Sequence, residues 1–378
     1  MDGSMTVIFL IAGAFLAVWL LEKIYQKNWS NGLTVSIKFQ SEPVFEGNKA
    51  SLTETIENRS WLFMPVLQVG FRVDRNLKFP EEENAAVSDK LYERDIFSVM
   101  FYQKITREIR FETAKRGYYV IDRADLMTKT LLATGELYEN AELFTYLYVY
   151  PRLIGVDSLE VIFHRMMGEI TAQRRIYEDP FAFRGLREYM PGDPLNKINW
   201  KASARAMNTL VNVHDSTESA RCCFLLDVED EGILRFEEVH EEGIRLAASL
   251  GAQMMERQIP VSLLSNGVDQ VTGETLYLEP GSGMRQKNRL FESLARLKTE
   301  EKPEPFPELL KRYLPEITRE HPLCVLITRN QRLKLVEAVQ EITRTGASLL
   351  WIATVTRDIP WKLERVQGAE IIRWEVSE

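Results

Sequence analysis

The reactive side chains of this 378-residue chain are few and scattered. Cys222, Cys223 and Cys324 are its three thiols, and none stands in the CxxC spacing of a metal or redox site. Cys222 and Cys223 are adjacent, so on an extended strand they point to opposite faces and are poorly placed to bridge each other. They read as small buried hydrophobes of a chain kept in a reducing compartment. His164, His214, His240 and His321 lie far apart, without the HxxxH or HExxH spacing that puts zinc ligands on one helix face. Ser203 lacks the G-x-S-x-G turn that would expose a nucleophile. A GxGxxG or Walker loop is absent, so nucleotide binding by the chain itself is not expected. No catalytic residue, cofactor or metal is assigned, and the expectation is a protein that is not an enzyme.

Two stretches concentrate charge instead. The first runs Asp227-Val228-Glu229-Asp230-Glu231, directly after the apolar residues 222–226. Carboxylates are hard oxygen ligands of the kind magnesium prefers, yet a solvated acidic loop is the simpler reading. The second sets Arg187, Lys201 and Arg205 beside Glu188 and Asp193, with Tyr189 and Trp200 as large amphipathic anchors. One reading of it is a structural clasp, in which Tyr189 and Trp200 pack on the domain and Arg205 pairs with Asp193. The other is a partner-binding surface, because Trp, Tyr and Arg dominate the energetics of protein interfaces.

Three regions must position these stretches. Residues 5–21 are apolar or small, and seventeen helical residues reach about 26 Å, just enough for a bilayer core. The one charged side chain before this run is Asp2, whereas a cleaved signal peptide has a positive n-region. Lys23 and Lys27 follow it, so a retained anchor over 5–25 is expected, with the following chain cytoplasmic. Trp19, Tyr25 and Trp29 are expected in an interfacial aromatic belt. From Leu33 the period changes to two, with Leu33, Val35, Ile37 and Phe39 alternating with polar residues, and Leu67, Val69, Phe71 and Val73 doing the same. Short strands separated by turn residues, without helical runs, predict an antiparallel β-sandwich over 33–152, with an acidic loop at 80–89.

Beyond the charged segment at 153–220, residues 221–378 alternate continuous apolar runs with amphipathic helices. Residues 222–226, 261–264, 323–328 and 348–355 read as strands, and the triplet Ser265-Asn266-Gly267 as the turn closing the second. This predicts a doubly wound α/β domain on a parallel sheet. Ligands of such sheets bind beyond the carboxyl ends of the strands, where Asp227, Ser265, Asn266 and Thr328 should meet.

The residues Phe183-Arg184-Gly185-Leu186-Arg187-Glu188-Tyr189-Met190-Pro191-Gly192-Asp193-Pro194-Leu195-Asn196-Lys197-Ile198-Asn199-Trp200-Lys201-Ala202-Ser203-Ala204-Arg205 closely resemble the signature of the DUF58 family, roughly F-x-x-L-R-x-Y-x-x-G-D-x-x-R-x-I-x-W-x-x-S-A-R. Phe45-Glu46-Gly47, Lys115-Arg116-Gly117-Tyr118 and Val149-Tyr150-Pro151-Arg152 resemble the same family upstream. The resemblance marks Arg187, Tyr189, Gly192, Asp193, Trp200, Ser203 and Arg205 as interaction candidates. It departs at Asn196, where the family has arginine, and at Asn199, where aspartate is usual. It implies a transmembrane helix, an immunoglobulin-like β-sandwich and a von Willebrand A-like domain. It also implies a MoxR-type AAA+ ATPase and other membrane proteins as partners. Metal-binding von Willebrand A domains use D-x-S-x-S after the first strand. Here both serine positions are glutamates, Glu229 and Glu231, so Asp227, Glu229 and Glu231 are expected to form a degenerate, metal-free loop.

The net charge of −8 lacks the basic stripe a nucleic-acid partner requires. The expected function is a membrane-anchored, non-enzymatic adaptor for a MoxR-type ATPase in protein assembly or maturation. The competing expectation is a cation-dependent adhesion protein displayed outside the cell.

Overall fold

The computed structural model describes residues 3–40, 42–79, 90–176, 178–216, 221–230, 232, 234–299, 303–320, 322–356 and 361–376. The acidic stretch at 80–89, His321 and Glu231 lie outside the described residues. The chain divides into two compact units, Met1–Arg152 and Leu153–Glu378.

In the first unit, helix α1 (Gly3–Asn28) is continuous, and Val7–Asn28 is long and apolar enough to cross a membrane. It ends in a turn whose Gly32 adopts φ +83°. The Arg59 and Ser60 backbone lies 3.5 Å from where a Cβ would project, so both conformation and space favour glycine there. Alternation then does what period two dictates. One sheet orders β1 (Leu33–Phe39), β3 (Lys49–Asn58), β7 (Lys104–Thr113) and β5 (Leu77–Lys78). The other orders β2 (Val44–Phe45), β9 (Glu136–Tyr150), β8 (Gly117–Lys129), β4 (Met64–Asp74) and β6 (Lys90–Val99). Ile37, Leu52, Ile56 and Phe111 of the first sheet share one core with Leu67, Val69, Phe71, Ile121 and Leu147 of the second.

The end of α1 belongs to that core. Tyr25 is fully buried and Trp29 is 4 % exposed, both within the sandwich cluster, and Tyr25 Oη lies 3.4 Å from Thr128 Oγ1. This corrects the interfacial belt expected from the sequence: of its three members only Trp19 is exposed. The other two rings are more stable packed against β-sheet than in water, and the short turn after Asn28 leaves them within reach of it.

The second unit begins with α2 (Val156–Ile176), β10 (Glu178–Glu188), α3 (Trp200–Ala206) and β11 (Leu210–Ser216). Then come β12 (Cys222–Leu226), α4 (Glu237–Glu256), β13 (Val261–Asp269), β14 (Thr275–Gly281), α5 (Gly283–Arg296) and β15 (Leu297–Lys298). The chain continues through α6 (Phe306–Arg312), α7 (Leu314–Thr318), β16 (Leu323–Thr328), α8 (Leu333–Arg344), β17 (Ser348–Val355) and β18 (Ala369–Glu375). The main sheet runs β14-β13-β12-β16-β17-β18; every neighbouring pair in it is parallel except β13 with β14.

Strands β12 and β16 are buried at every residue, as strands covered on both faces must be. Phe306, Leu309, Leu335, Val339 and Ile342 cover the face that carries Cys223, Leu225, Cys324 and Leu326. On the opposite face α4 approaches closely through its glycines. A Cβ on Gly243 would stand 3.3 Å from Ile327 Cγ2 of the sheet, and one on Gly251 2.6 Å from Leu290 Cδ2 of the neighbouring α5.

Three features depart from the sequence expectation. Helix α2, for which the sequence gives no expectation above, fills much of the 153–220 segment ahead of the signature; its Leu159, Ile162, Met166 and Ile170 are buried at helical spacing. Strand β13 runs on through Ser265, Asn266 and Gly267, which were expected to be its closing turn. Leu290, Leu294 and Leu297 recur at helical spacing, yet only the first two lie on α5, and Leu297 forms part of β15, which pairs with β13.

Candidate functional site

Asp227 follows β12 at the carboxyl end of the sheet, and its backbone N–H donates to the Ile327 carbonyl at 3.0 Å. Its carboxylate is buried and enclosed by donors from its own chain. Oδ1 accepts from the Glu229 N–H at 2.9 Å and from Asn266 Nδ2 at 2.9 Å, while Oδ2 accepts from Thr328 Oγ1 at 2.8 Å. Asn266 also accepts from the Val228 N–H at 2.9 Å and donates to the Glu304 carbonyl at 3.1 Å. Burial pushes the Asp227 carboxyl up to about 6, against the opposing pull of these donors.

Glu229 is likewise engaged. Its Oε1 pairs with Arg332 Nη1 at 2.8 Å, and Oε2 accepts from the Phe306 N–H at 3.2 Å. Next to it Asp230 pairs with His240 Nε2 at 3.0 Å and lies 3.4 Å from Arg329 Nη1. The Arg329 guanidinium in turn sits over the Phe236 ring at 3.8 Å. Burial opposes ionisation of Asp230, but the His240 contact, the Arg329 guanidinium and the Phe236 N–H outweigh it and hold its carboxyl below the usual range.

A divalent ion needs several oxygens with lone pairs to offer. Both oxygens of Asp227 already accept N–H or O–H donors, and Glu229 already faces a guanidinium, so a cation here would compete with those partners. Among the described residues no group of three or more His, Cys, Asp or Glu is placed to hold a metal. Cys223 and Cys324 are register neighbours on β12 and β16, buried as free thiols, and Cys222 points to the other face.

The second stretch forms a flap. Strands β10 and β11 pair antiparallel, with Arg187 opposite Val211 and Glu188 opposite Leu210. Between them the chain makes a tight turn at 190–193, closed by the Asp193 N–H to the Met190 carbonyl at 3.0 Å and permitted by Gly192 at φ +108°. Arg187 grips Asp193 through Nη1 and Nη2, at 2.7 and 2.6 Å, and the Met190 N–H adds a third bond at 2.9 Å. The Arg187 guanidinium holds the Asp193 carboxyl down at about 2, with the Met190 N–H assisting. The ion pair of the clasp is therefore Arg187–Asp193, which corrects the Arg205–Asp193 pair expected from the sequence.

Helix α3 is capped by Asn199, whose Oδ1 accepts from the Ala202 N–H at 3.0 Å. Asparagine caps a helix as well as aspartate does, so the departure at this position leaves the local geometry intact. Asn199 Nδ2 also reaches Asn212 Oδ1 at 2.8 Å. Ser203 ties the helix to β11: its hydroxyl donates to the Asn199 carbonyl and accepts from the Leu210 N–H, each at 2.8 Å. Tyr189 is half-buried, Arg205 and Lys201 are exposed, and Trp200 is 70 % exposed. The expectation that Trp200 packs on the domain is thus incorrect.

Trp200 is accompanied by exposed Leu186, Met190, Leu195 and Met207. Sequence reasoning missed these four; their signal was large apolar side chains interspersed among charges in a stretch with no core periodicity. The structure brings Arg187, Gly192 and Asp193 together at the turn and Asn199 and Ser203 at the helix start. Asp227 and Glu229 belong to the separate strand-end cluster.

No family model matches the chain, and no curated protein matches it. Among solved structures, the CARDB domain of a Pyrococcus furiosus protein is 13 % identical, covering 29 % of this chain and 93 % of its own, with a TM-score of 0.18. A non-cellulosomal cohesin from Archaeoglobus fulgidus is 9 % identical, covering 35 % of this chain and 99 % of its own, with a TM-score of 0.22. An exo-β-N-acetylglucosaminidase from Vibrio harveyi is 9 % identical over 91 % of this chain and 79 % of its own, with a TM-score of 0.26. Likenesses this low in score carry no statement about function.

Proposed function

We propose that this chain is a membrane-anchored, non-enzymatic binding protein that offers its β10–α3–β11 flap to a protein partner. The observation that supports this is the exposure of Trp200 together with Met190 and Leu195 on a framework braced by Arg187–Asp193 and Ser203. Large apolar side chains held rigidly in water lose little conformational entropy on association and gain the full benefit of burial. By its resemblance to the DUF58 family, the two units are an immunoglobulin-like and a von Willebrand A-like domain, and the partner is a MoxR-type AAA+ ATPase. On that reading the units face the cytoplasm, as the lysines after the apolar run favour. The strand-end cluster at Asp227 then serves the integrity of the domain rather than cation-dependent adhesion, since its oxygens already have partners.

Affinity purification of the tagged full chain from membranes, across nucleotide states, tests the reading. Recovery of an AAA+ ATPase with the native chain, and its loss with Trp200→Ala at unchanged expression, is the expected result. Equal recovery with both chains would remove the flap from the proposal, and absence of any ATPase would remove the partner. Protease treatment of intact cells checks orientation, because units facing the cytoplasm stay uncut.

A further inference from the structure

In the first unit the described turns at one end carry large apolar side chains and those at the other end are polar. All the turns at 59–63, 100–103 and 130–135 lie at one end, because β3 ends where β1 and β7 begin, β4 begins where β6 and β8 end, and β9 begins beside the end of β8. Helix α1 joins the sandwich at that same end, since Leu33 of β1 pairs with Asn58 of β3. The turns there expose Trp61, Phe63, Met100, Phe101, Tyr102 and Leu132, with Trp61 60 % and Tyr102 70 % accessible. The turns at 46–48, 75–76 and 114–116, at the other end, read Glu-Gly-Asn, Arg-Asn and Ala-Lys-Arg.

These apolar turns are held firmly. Buried Asn58 donates to the carbonyls of Leu62 at 2.7 Å and Met100 at 2.9 Å, stitching two turns to each other. The Tyr102 N–H donates to the Ser60 carbonyl at 3.2 Å, and the Arg59 N–H to the Gly32 carbonyl at 2.8 Å. Gly32 lies four residues beyond the last residue of α1. The helix that could cross a bilayer and the exposed aromatic turns are therefore parts of one rigid end.

We infer that this end is a membrane-seated collar: Trp61, Phe63, Met100, Phe101, Tyr102 and Leu132 lie in the interfacial layer of the bilayer that α1 enters. The inference rests on reading α1 as a membrane span. The occupant follows from continuity with that helix, because a bilayer surrounding α1 meets the turns tied to Gly32 before anything else. Trp and Tyr favour the headgroup layer, where one part of the ring is dry and the other meets polar groups. Apolar groups so placed reach about 5–10 Å into the boundary between headgroups and acyl chains. The collar replaces the belt that Tyr25 and Trp29, drawn into the core, do not supply. It also fixes the tilt of the first unit on the membrane, which a single helix alone would leave loose.

The test uses the full chain in phosphatidylcholine vesicles with an environment-sensitive fluorophore on one introduced cysteine. The sites are Phe101→Cys in the collar, Leu10→Cys in α1 and Lys49→Cys at the polar end. The native thiols are buried, and the wild-type chain measures any background labelling. Lipids carrying a spin label near the headgroup or deep in the acyl chain then report depth. Blue-shifted emission at residue 101 with quenching by the shallow label, deep quenching at residue 10, and neither at residue 49 is the expected pattern. If residue 10 is quenched while residue 101 behaves like residue 49, the collar is wrong and the anchor stands. If neither residue 10 nor residue 101 is quenched, the anchor reading fails and takes the collar with it. Blue-shifted emission at residue 101 without lipid quenching would mean that protein covers these turns, and would overturn the proposal too.

Discussion

Thr328 donates its hydroxyl to Asp227 at 2.8 Å, joining the ends of two parallel strands, β16 and β12, through one buried carboxylate. The same hydroxyl accepts from the Asn330 N–H at 2.9 Å, so the first residues beyond β16 are shaped by it as well. Thr328→Val would leave Asp227 Oδ2 buried without that donor. A loss of stability of about 1–3 kcal/mol is expected, measured by urea denaturation of the full chain in detergent. Addition of magnesium should leave the denaturation midpoint of the native chain unchanged. Specific magnesium heat in calorimetry that disappears with Asp227→Ala would refute the assignment of this cluster as structural.

Stability should fall as pH rises from mildly acidic to mildly alkaline. Burial, with the Asp95 charge adding to it and Arg107 opposing, pushes the Glu54 carboxyl from an ordinary 4.5 to about 8. Asp227 is pushed from 3.8 to about 6. In each case the folded chain keeps a proton that the unfolded chain has already released, so folding is disfavoured as pH rises through the window between the two values. The Asp227 contribution is lost between 3.8 and about 6, and that of Glu54 between 4.5 and about 8. Glu54→Gln should flatten the upper part of the profile, because a neutral amide at the same place does not titrate. A denaturation midpoint that rises across this range would contradict both assignments.

Trp200→Ala should change stability by less than about 0.5 kcal/mol, as expected for an exposed side chain outside any core. Its effect on partner capture should be far larger, of the order of 2 kcal/mol for a hot-spot tryptophan. Arg187→Ala differs in kind: it frees Asp193 and loosens the turn that presents Met190, so both the melting of the flap and the capture should change. Amide exchange at the 190–193 turn separates the two variants.

Gly251→Val should destabilise the second unit by about 1–3 kcal/mol, since even the first carbon would overlap Leu290 at 2.6 Å. Relief by a second change, Leu290→Ala, would identify crowding as the cause; no relief would point to a backbone effect instead. Thermal melts of the single and double variants give the answer.

Tyr25→Ala should cost about 3–5 kcal/mol in the first unit, the range for deleting a large buried ring. The last turn of α1 is thus part of the sandwich core as well as of the helix. Removing residues 1–21 should leave that core intact, whereas removing residues 1–32 should broaden or abolish its unfolding transition.

Sequence by itself determined the elements whose environment repeats along the chain. Leu33, Val35, Ile37 and Phe39 alternate because one strand face meets a core and the other does not. Residues 222–226 are apolar throughout because their strand is covered on both sides. Such patterns are legible because burial imposes the same demand at every second, or every, position. Tertiary structure alone decided the pairings that join distant segments. Nothing local distinguishes Arg187 from Arg205 as the partner of Asp193; the turn allowed by Gly192 brings the first within 2.6 Å. Asn266 resembles a turn residue until Asp227 and the Glu304 carbonyl, 38 or more positions away, hold it in a strand. Tyr25 and Trp29 look like membrane-interface residues, and become core because the sandwich folds back onto the helix end. In each case the deciding interaction partner lies far off in sequence, and only folding brings it into range.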